Sequence, residues 1–155
     1  MNPESGRTGP DTSSYLWLGY AGLLPQLLAV LLVLRGGEWG FVALAGGFAY
    51  AALIFSFLGG VWWGQAMQSG GKPRWAFAVA VLPSLLSLAL YLPWTLGWRW
   101  PDPSLIWLGI FLTLSPFVDR ALGLAPPAFL RLRWHLSLGL GALTLLLGIL
   151  VVRVA

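Results

Sequence analysis

The chain alternates between five long apolar runs and short polar segments. Each run approaches or exceeds the roughly twenty apolar residues that a helix needs to cross the hydrocarbon core of a bilayer. The segments between the runs contain the Gly, Pro and charged residues that are typical of turns. We therefore predict five transmembrane helices, which span approximately residues 15–34, 40–67, 75–94, 104–124 and 134–152.

The segments outside these runs set the expected domain organisation. Residues 1–14 are rich in Pro, Gly, Ser and Thr and offer no apolar cluster that could pack. We expect them to form a disordered polar tail, and residues 15–155 to form a single transmembrane domain. Residues 125–133 carry two prolines and two arginines, so we expect them to lie at the membrane interface ahead of the fifth helix.

Three prolines in the third and fourth predicted helices are expected to disturb them. Pro83 and Pro93 should interrupt or terminate the third helix, and Pro116 should kink the fourth. The second apolar run is longer than one perpendicular crossing requires. Its helix must therefore tilt, protrude, or end near Gly59–Gly60.

Composition supports the same class of protein. Of the 155 residues, 58% are hydrophobic and 9% are charged, which leaves too few polar residues to coat a water-facing surface and excludes a soluble enzyme. The sequence contains no cysteine, which excludes disulfides, thiolate nucleophiles and iron–sulfur clusters. The formal net charge of +4 is spread between the apolar runs, so it indicates topology and not a nucleic-acid partner. The predicted fold class is an all-α, polytopic membrane helical bundle.

The distribution of Lys and Arg predicts the orientation of the bundle. Five crossings place six basic residues on the N-terminal side (Arg7, Lys72, Arg74, Arg120, Arg131 and Arg133) and three on the other (Arg35, Arg99 and Arg153). Basic residues concentrate in cytoplasmic loops. We therefore expect a cytoplasmic N-terminus, in a bacterial cytoplasmic (inner) membrane.

Small residues recur at every fourth position of the second predicted helix, at Ala52, Ser56, Gly60 and Gly64. Such a stripe lets another helix approach closely, so we interpret it as a helix-packing face in preference to a ligand groove. The adjacent Trp62 and Trp63 diverge by about 100° around a helix. At most one of the two can therefore line a cavity.

Several polar side chains fall within the apolar runs and need hydrogen-bond partners there. They either bond to a neighbouring helix or line a wet cavity between helices. Candidate residues for a bundle cavity are Gln26, Ser56, Trp63, Gln65 and Ser84.

Asp119 is the carboxylate whose position places it at membrane depth, where a charge is costly and often functional. Arg120, Arg131, Arg133 and His135 lie close to it in the sequence. These five residues form a candidate polar cluster, either an interfacial ion-pair network or a site that serves a ligand or proton transfer. A catalytic role would need Asp119 and His135 as a base and its orienter. No recognisable nucleophile motif accompanies them, so we predict no catalytic residue, no metal and no cofactor.

Several segments together resemble a known family of integral membrane proteins, that of domain of unknown function 3429. These segments are GYAGLLPQ from Gly19, YAALIFSFLGGVWWG from Tyr50, LPSL from Leu82, Asp119, and LRWHLS from Leu132. The matching positions are Gly22, Pro25, Ser56, Phe57, Leu58, Gly59, Gly60, Trp63, Gly64, Pro83, Ser84, Asp119, Leu132 and Arg133.

The resemblance implies a membrane protein and no mechanism, because the family has no established activity. The chain departs from the family at Ala128-Phe129, where members usually carry an aromatic pair ahead of the Leu-Arg dipeptide.

These observations favour a protein without covalent chemistry. It would act as an assembly or interaction partner, or bind a hydrophobic small molecule within the bundle. The alternatives are a small transporter or channel subunit, and a membrane-embedded enzyme acting on a lipid or isoprenoid. The expected partners are the lipid bilayer and either other membrane proteins or a hydrophobic ligand, and an oligomer is possible. No nucleic acid is expected.

Overall fold

The protein is a bundle of α-helices with no strand in residues 12–154, the part of the chain that the computed structural model describes. Side chains are described for residues 16–151. Five stretches are long and apolar enough to cross a membrane, which confirms the predicted helical membrane bundle. The helices are α1 (Thr12–Ala21), α2 (Leu24–Arg35), α3 (Trp39–Gln68), α4 (Trp75–Thr95), α5 (Asp102–Leu122) and α6 (Pro127–Val154).

The first span is broken into α1 and α2 by a turn at residues 22–23. Pro25 lies in the first turn of α2, where its missing N–H costs nothing. The Tyr50 hydroxyl donates a hydrogen bond to the Gly22 carbonyl at the break, so a backbone group released there is satisfied inside the protein. Residues 1–11 of the predicted polar tail lie outside the described part of the chain. Helix α1 begins at Thr12, inside the segment predicted as the tail.

Helix α6 begins at Pro127 and includes most of the segment that was expected to lie at the interface. The proline signals the start of a helix here, because its fixed φ suits the first helical position.

Helices α4 and α5 continue through Pro83, Pro93 and Pro116, so the expected interruption of α4 is not observed. Helix α3 is 30 residues long and continues past Gly59–Gly60 to Gln68. Its length of about 45 Å exceeds the hydrocarbon thickness of about 30 Å, so it must tilt or protrude.

Helices α5 and α6 run antiparallel and form the most extensive contact of the bundle. The buried residues of α5 include Leu105, Leu108, Leu112, Ser115 and Asp119, at the alternating spacing of three and four that forms one helix face. The buried residues of α6 include Arg133, Ser137, Leu140, Thr144 and Leu147, of which Arg133 and Ser137 bond to Asp119 and Ser115 of α5. Gly109 allows close approach, because a Cβ there would lie 2.9 Å from the Leu145 nitrogen. Asp119 and Arg133 are consequently placed opposite each other.

Helix α3 packs against α4 through Gly59 and not through Gly60. A Cβ at Gly59 would overlap the Ala80 carbonyl oxygen, whereas Cβ atoms at Gly60 and Gly64 would meet no described heavy atom within 4 Å. The predicted packing stripe is therefore wrong for Gly60 and Gly64. The buried face of α3 carries Phe55, Leu58, Gly59 and Trp62, so these two glycines fall outside it.

The first half of the predicted stripe does contact α4. The Ser87 hydroxyl donates to the Ala52 carbonyl at 3.2 Å, and the Ser56 and Ser87 hydroxyls are 3.4 Å apart. These bonds satisfy a serine at membrane depth through backbone and hydroxyl partners. The packing face is thus shared by Ala52, Ser56 and Gly59.

Aromatic side chains gather at the end of the bundle where α4 finishes and α5 begins. The rings of Trp94 and Trp100 stack with centroids 4.7 Å apart, and Phe48 meets Trp100 edge-on at 5.6 Å. Nearby, Arg99 forms a 2.8 Å ion pair with Asp102. The hydrogen bond and the charge of Asp102 raise the pKa of Arg99. This end carries the aromatic belt that is typical of a membrane interface.

Candidate functional site

A buried ion pair joins α5 to α6 near the N-terminal side of the bundle. The Nε and Nη2 atoms of Arg133 donate to the Asp119 Oδ2 atom at 3.0 and 2.8 Å. Asp119 is 1% exposed and Arg133 is 7% exposed. The structure therefore brings together two members of the predicted polar cluster, and buries them more deeply than an interfacial network would require.

Trp62 on α3 completes this site. Its indole N–H donates to the second carboxylate oxygen of Asp119, Oδ1, at 2.6 Å. Trp62 is 2% exposed, whereas Trp63 is 45% exposed and packs edge-on against Phe77. The prediction that Trp63 lines the interior is therefore wrong, because the buried face of α3 passes through position 62.

The three side chains form a saturated arrangement, which we call the ion-pair site (Trp62, Asp119 and Arg133). Both carboxylate oxygens of Asp119 accept at least one hydrogen bond, and its charge is matched by the guanidinium. A buried charge is tolerated only when it is paired and hydrogen-bonded in this way. The geometry fixes Asp119 as an acceptor and leaves it no oxygen without a donor, so its chemical effect is to hold Arg133 in place.

The other predicted members of the polar cluster lie outside the ion-pair site. Arg120 and Arg131 are exposed, and neither forms an ion pair with a described acidic residue. His135 is also exposed, and its Nδ1 atom lies 2.9 Å from the Tyr20 hydroxyl on α1. This contact ties α1 to α6 two residues after Arg133.

The residues predicted to line a bundle cavity do not share one. Gln26 is fully buried and donates through Nε2 to the Thr144 hydroxyl at 2.9 Å, which joins α2 to α6. Gln65 has an enclosed Oε1 atom without a described partner, and Ser84 is exposed. Ser56 faces Ser87 in the α3–α4 contact. Neither of the cavities described for the molecule is lined by any of these residues or by Trp63.

The larger cavity lies instead between α1, α3 and α6, and we call it the lateral groove. It encloses about 420 Å³. Its walls include Leu18 and Gly19 from α1, Ile54 and Phe57 from α3, and several residues of α6. Leu18 and Phe57 are 75% and 66% exposed, so the groove opens on the outer surface of the bundle.

On α6 the lining runs over about three turns, from Phe129 to Leu140, and includes Arg133 and Ser137. Arg133 therefore belongs to the ion-pair site and to the wall of the groove at once. Nearly all other lining side chains are apolar. Gly22 and Leu23 at the α1–α2 break line the groove, and sequence reasoning missed the groove because this break was not predicted.

The described residues contain no group of three or more His, Cys, Asp or Glu side chains placed to hold a metal ion. The expectation that the protein has no metal and no cofactor stays a prediction.

Five apolar helices built around buried polar contacts define a polytopic helical membrane protein. The chain belongs to the family described as Protein of unknown function (DUF3429), whose family model matches residues 12–150. This confirms the resemblance seen in the sequence. The match includes the whole ion-pair site and the whole lateral groove.

A curated relative supports this membership. The chain is similar to Transmembrane protein 69 of Xenopus tropicalis, with 45% identity over 76 residues. The match covers 46% of this chain and 30% of that protein, so the chain spans less than a third of the relative's length in the alignment. No solved structure matches the chain.

Proposed function

We propose that the protein binds a hydrophobic molecule in the lateral groove between α1, α3 and α6. The observation that carries this proposal is the volume of the groove, about 420 Å³. Ligand pockets in proteins have volumes of roughly 300–1,000 Å³ and are mostly apolar with a few placed polar groups. The lateral groove has this size and this chemistry.

Two polar contacts fix the positions of the groove walls relative to each other. The ion-pair site fixes α6 relative to α3 and α5, and the Tyr50–Gly22 hydrogen bond fixes the broken end of α1 against α3. The walls are therefore braced by bonds that do not depend on a ligand. A hydrophobic molecule would enter from the bilayer, because the groove opens on the outer surface of the bundle.

We also propose that the N-terminal side of the bundle faces the cytoplasm. The α3–α4 and α5–α6 connections, with the adjoining helix ends, carry Lys72, Arg74, Arg120, Arg131 and Arg133 on that side. The opposite helix ends carry Arg35 and Arg99 within the described side chains. The relative is from Xenopus and gives the bacterial inner membrane no support, so the proposal concerns orientation alone.

Photolabelling in a bilayer tests the proposed binding. The protein is reconstituted in phosphatidylcholine nanodiscs with a long-chain alcohol that carries a diazirine, and the labelled residues are mapped by peptide mass spectrometry. We expect labels to concentrate on groove residues of α1, α3 and α6. Ile54→Trp should reduce this labelling several-fold, because an indole at position 54 would fill the groove.

The matched control is Leu53→Trp, which places the same side chain on the adjacent, lipid-exposed position of α3. It should leave the groove labelling unchanged. Leu136→Trp, on the opposite wall, provides a second groove-filling variant if Ile54→Trp lowers the folded yield. Labels spread evenly over all lipid-facing residues, with no response to either groove-filling variant, would contradict the proposal.

A further inference from the structure

Arg133 has unused hydrogen-bonding capacity at the wall of the lateral groove. Its Nε and Nη2 atoms are bonded to Asp119, while Nη1 donates to no described residue. The fully enclosed side-chain N and O atoms without a described partner are Gln26 Oε1, Gln65 Oε1 and Trp100 Nε1. Arg133 Nη1 is not among these enclosed atoms, so part of its surface is accessible. The guanidinium is held by Asp119 in one orientation, with its remaining N–H groups available.

The position of Arg133 along the groove is that of a headgroup contact. Arg133 lies six residues after the start of α6, about 9 Å along the helix axis. The groove continues from there to Leu140, Leu23 and Tyr50, deeper in the bundle. The polar wall therefore lies toward the Pro127 end of α6, which we expect near the lipid headgroups, and the deeper walls are apolar. This is the polarity of an amphiphile aligned with the membrane lipids.

The charges at this end of the molecule favour an anion. Arg120 and Arg131 are exposed near the same helix ends as Arg133, and Asp119 is the described acidic residue on this side. The other described acidic residues, Glu38 and Asp102, lie at the opposite helix ends. An anionic headgroup at Arg133 would therefore meet a net positive field, whereas a cationic one would be repelled.

The volume of the groove limits the apolar part of its occupant. A methylene group takes about the volume of a water molecule in the liquid, roughly 30 Å³. The groove of about 420 Å³ therefore has room for one acyl or alkyl chain of on the order of a dozen methylene groups. A second chain would lie outside the groove, along its lipid-exposed opening.

We propose that the lateral groove takes a single-chain amphiphile whose anionic headgroup, a carboxylate or a phosphate monoester, binds the free face of the Arg133 guanidinium. This inference rests on the proposed function and specifies its ligand. Arg133 is the residue that contacts the headgroup, and Asp119 and Trp62 are the positioning residues that hold it.

Competition against the diazirine alcohol tests this specificity. The competitors share one chain of about fourteen carbons and differ in their headgroup: an alcohol, a carboxylate, a phosphate monoester and an ammonium. At about pH 8 both acids are ionised. Because a hydrogen bond to a charged group adds a tenfold or larger preference, we expect at least one acid to compete about tenfold better than the alcohol, and the ammonium to compete worst.

The two acids identify the source of the anion. Equal competition by carboxylate and phosphate assigns the site to anionic headgroups in general, and competition by one alone assigns it to that headgroup. If the alcohol and both acids compete equally, the headgroup inference is overturned while the proposed function stands. If none of them displaces the alcohol label, both are overturned. Equal competition by two-chain phosphatidate would overturn the single-chain assignment.

A paired substitution localises the effect to Arg133. In Asp119→Asn with Arg133→Met, no buried charge is left unpaired, and we expect the tenfold preference for the acid to disappear while the alcohol still binds. Arg131→Gln is the control, because Arg131 is an exposed residue of the same helix that does not line the groove, and it should keep the preference for the acid. If the double variant does not fold, labelling of the wild-type protein tests whether the headgroup lies at Arg133. A diazirine next to the headgroup should label residues 129–133, and labelling near Leu140 by that probe would overturn the orientation.

Discussion

At the scale of single residues, the ion-pair site shows how far a sequence pattern identifies a site. Asp119 and Arg133 were predicted as a polar cluster because charges in an apolar run need partners. The sequence could not show whether Trp62 or Trp63 is the third member, because the choice depends on which face of α3 is buried. The structure shows that Phe55, Leu58 and Trp62 share the buried face.

The same limit explains the polar residues that were assigned to a cavity. Gln26 was expected either to bond to another helix or to line a wet space, and the structure shows the first outcome through Thr144. The groove residues are mostly Leu, Ile, Phe and Gly, which resemble every other lipid-facing or buried residue of the chain. An apolar cavity therefore leaves little signal in one sequence.

Neutralising Asp119 should destabilise the protein more than neutralising both charges. Asp119→Asn leaves the guanidinium of Arg133 buried without its counter-charge, and such a loss costs about 3–5 kcal/mol of unfolding free energy. Asp119→Asn with Arg133→Met should recover at least about 1 kcal/mol of this cost, because the two side chains are coupled. Reversible unfolding of the purified variants in mild detergent measures both values.

The charge-neutral variant Thr113→Val is a useful reference, since the only described partner of the Thr113 hydroxyl is the Gly109 carbonyl of its own helix. It should change the stability little and should not interact with Arg133→Met. Strictly additive effects of Asp119→Asn and Arg133→Met would contradict the buried pair.

At the scale of helices, boundaries were predicted well wherever an apolar run ends in a polar turn. The second and third runs differ from α3 and α4 by one residue or none at each end. The largest differences fall at prolines. Pro25 and Pro127 each lie in the first turn of a helix, where proline is favoured, whereas the sequence pattern predicts a continuous span at the first and an interfacial segment at the second.

The glycines of α3 give the sharpest test of its packing. Gly59→Leu should lower the unfolding free energy by about 3 kcal/mol or more, because its Cβ would overlap the Ala80 backbone of α4. Gly60→Leu is the matched control on the adjacent position, where a Cβ meets no described atom within 4 Å. It should fold with normal yield. Thermal stability in detergent compares the two, and equal losses would contradict the observed face of α3.

At the scale of the whole molecule, membrane class and span number follow from composition and run length, because the bilayer allows few other structures.

The orientation of the bundle depends on a weaker signal, the distribution of Lys and Arg between the loops. If the N-terminus is cytoplasmic, a reporter fused at Ala155 that is active only outside the cytoplasm should be active, and a cytoplasm-only reporter should be silent. Replacing Lys72, Arg74 and Arg131 with Gln should produce mixed orientation. A cytoplasmic signal from the wild-type fusion would contradict the charge argument.

The most direct test of the central claim, that the lateral groove holds one hydrophobic molecule, is native mass spectrometry of the protein extracted from its own membrane in mild detergent. We predict one small bound molecule per chain in the wild type and in Leu53→Trp, and none in Ile54→Trp at equal folded yield. A spectrum with only bare chain, or with the same bound lipids in both tryptophan variants, would contradict the claim.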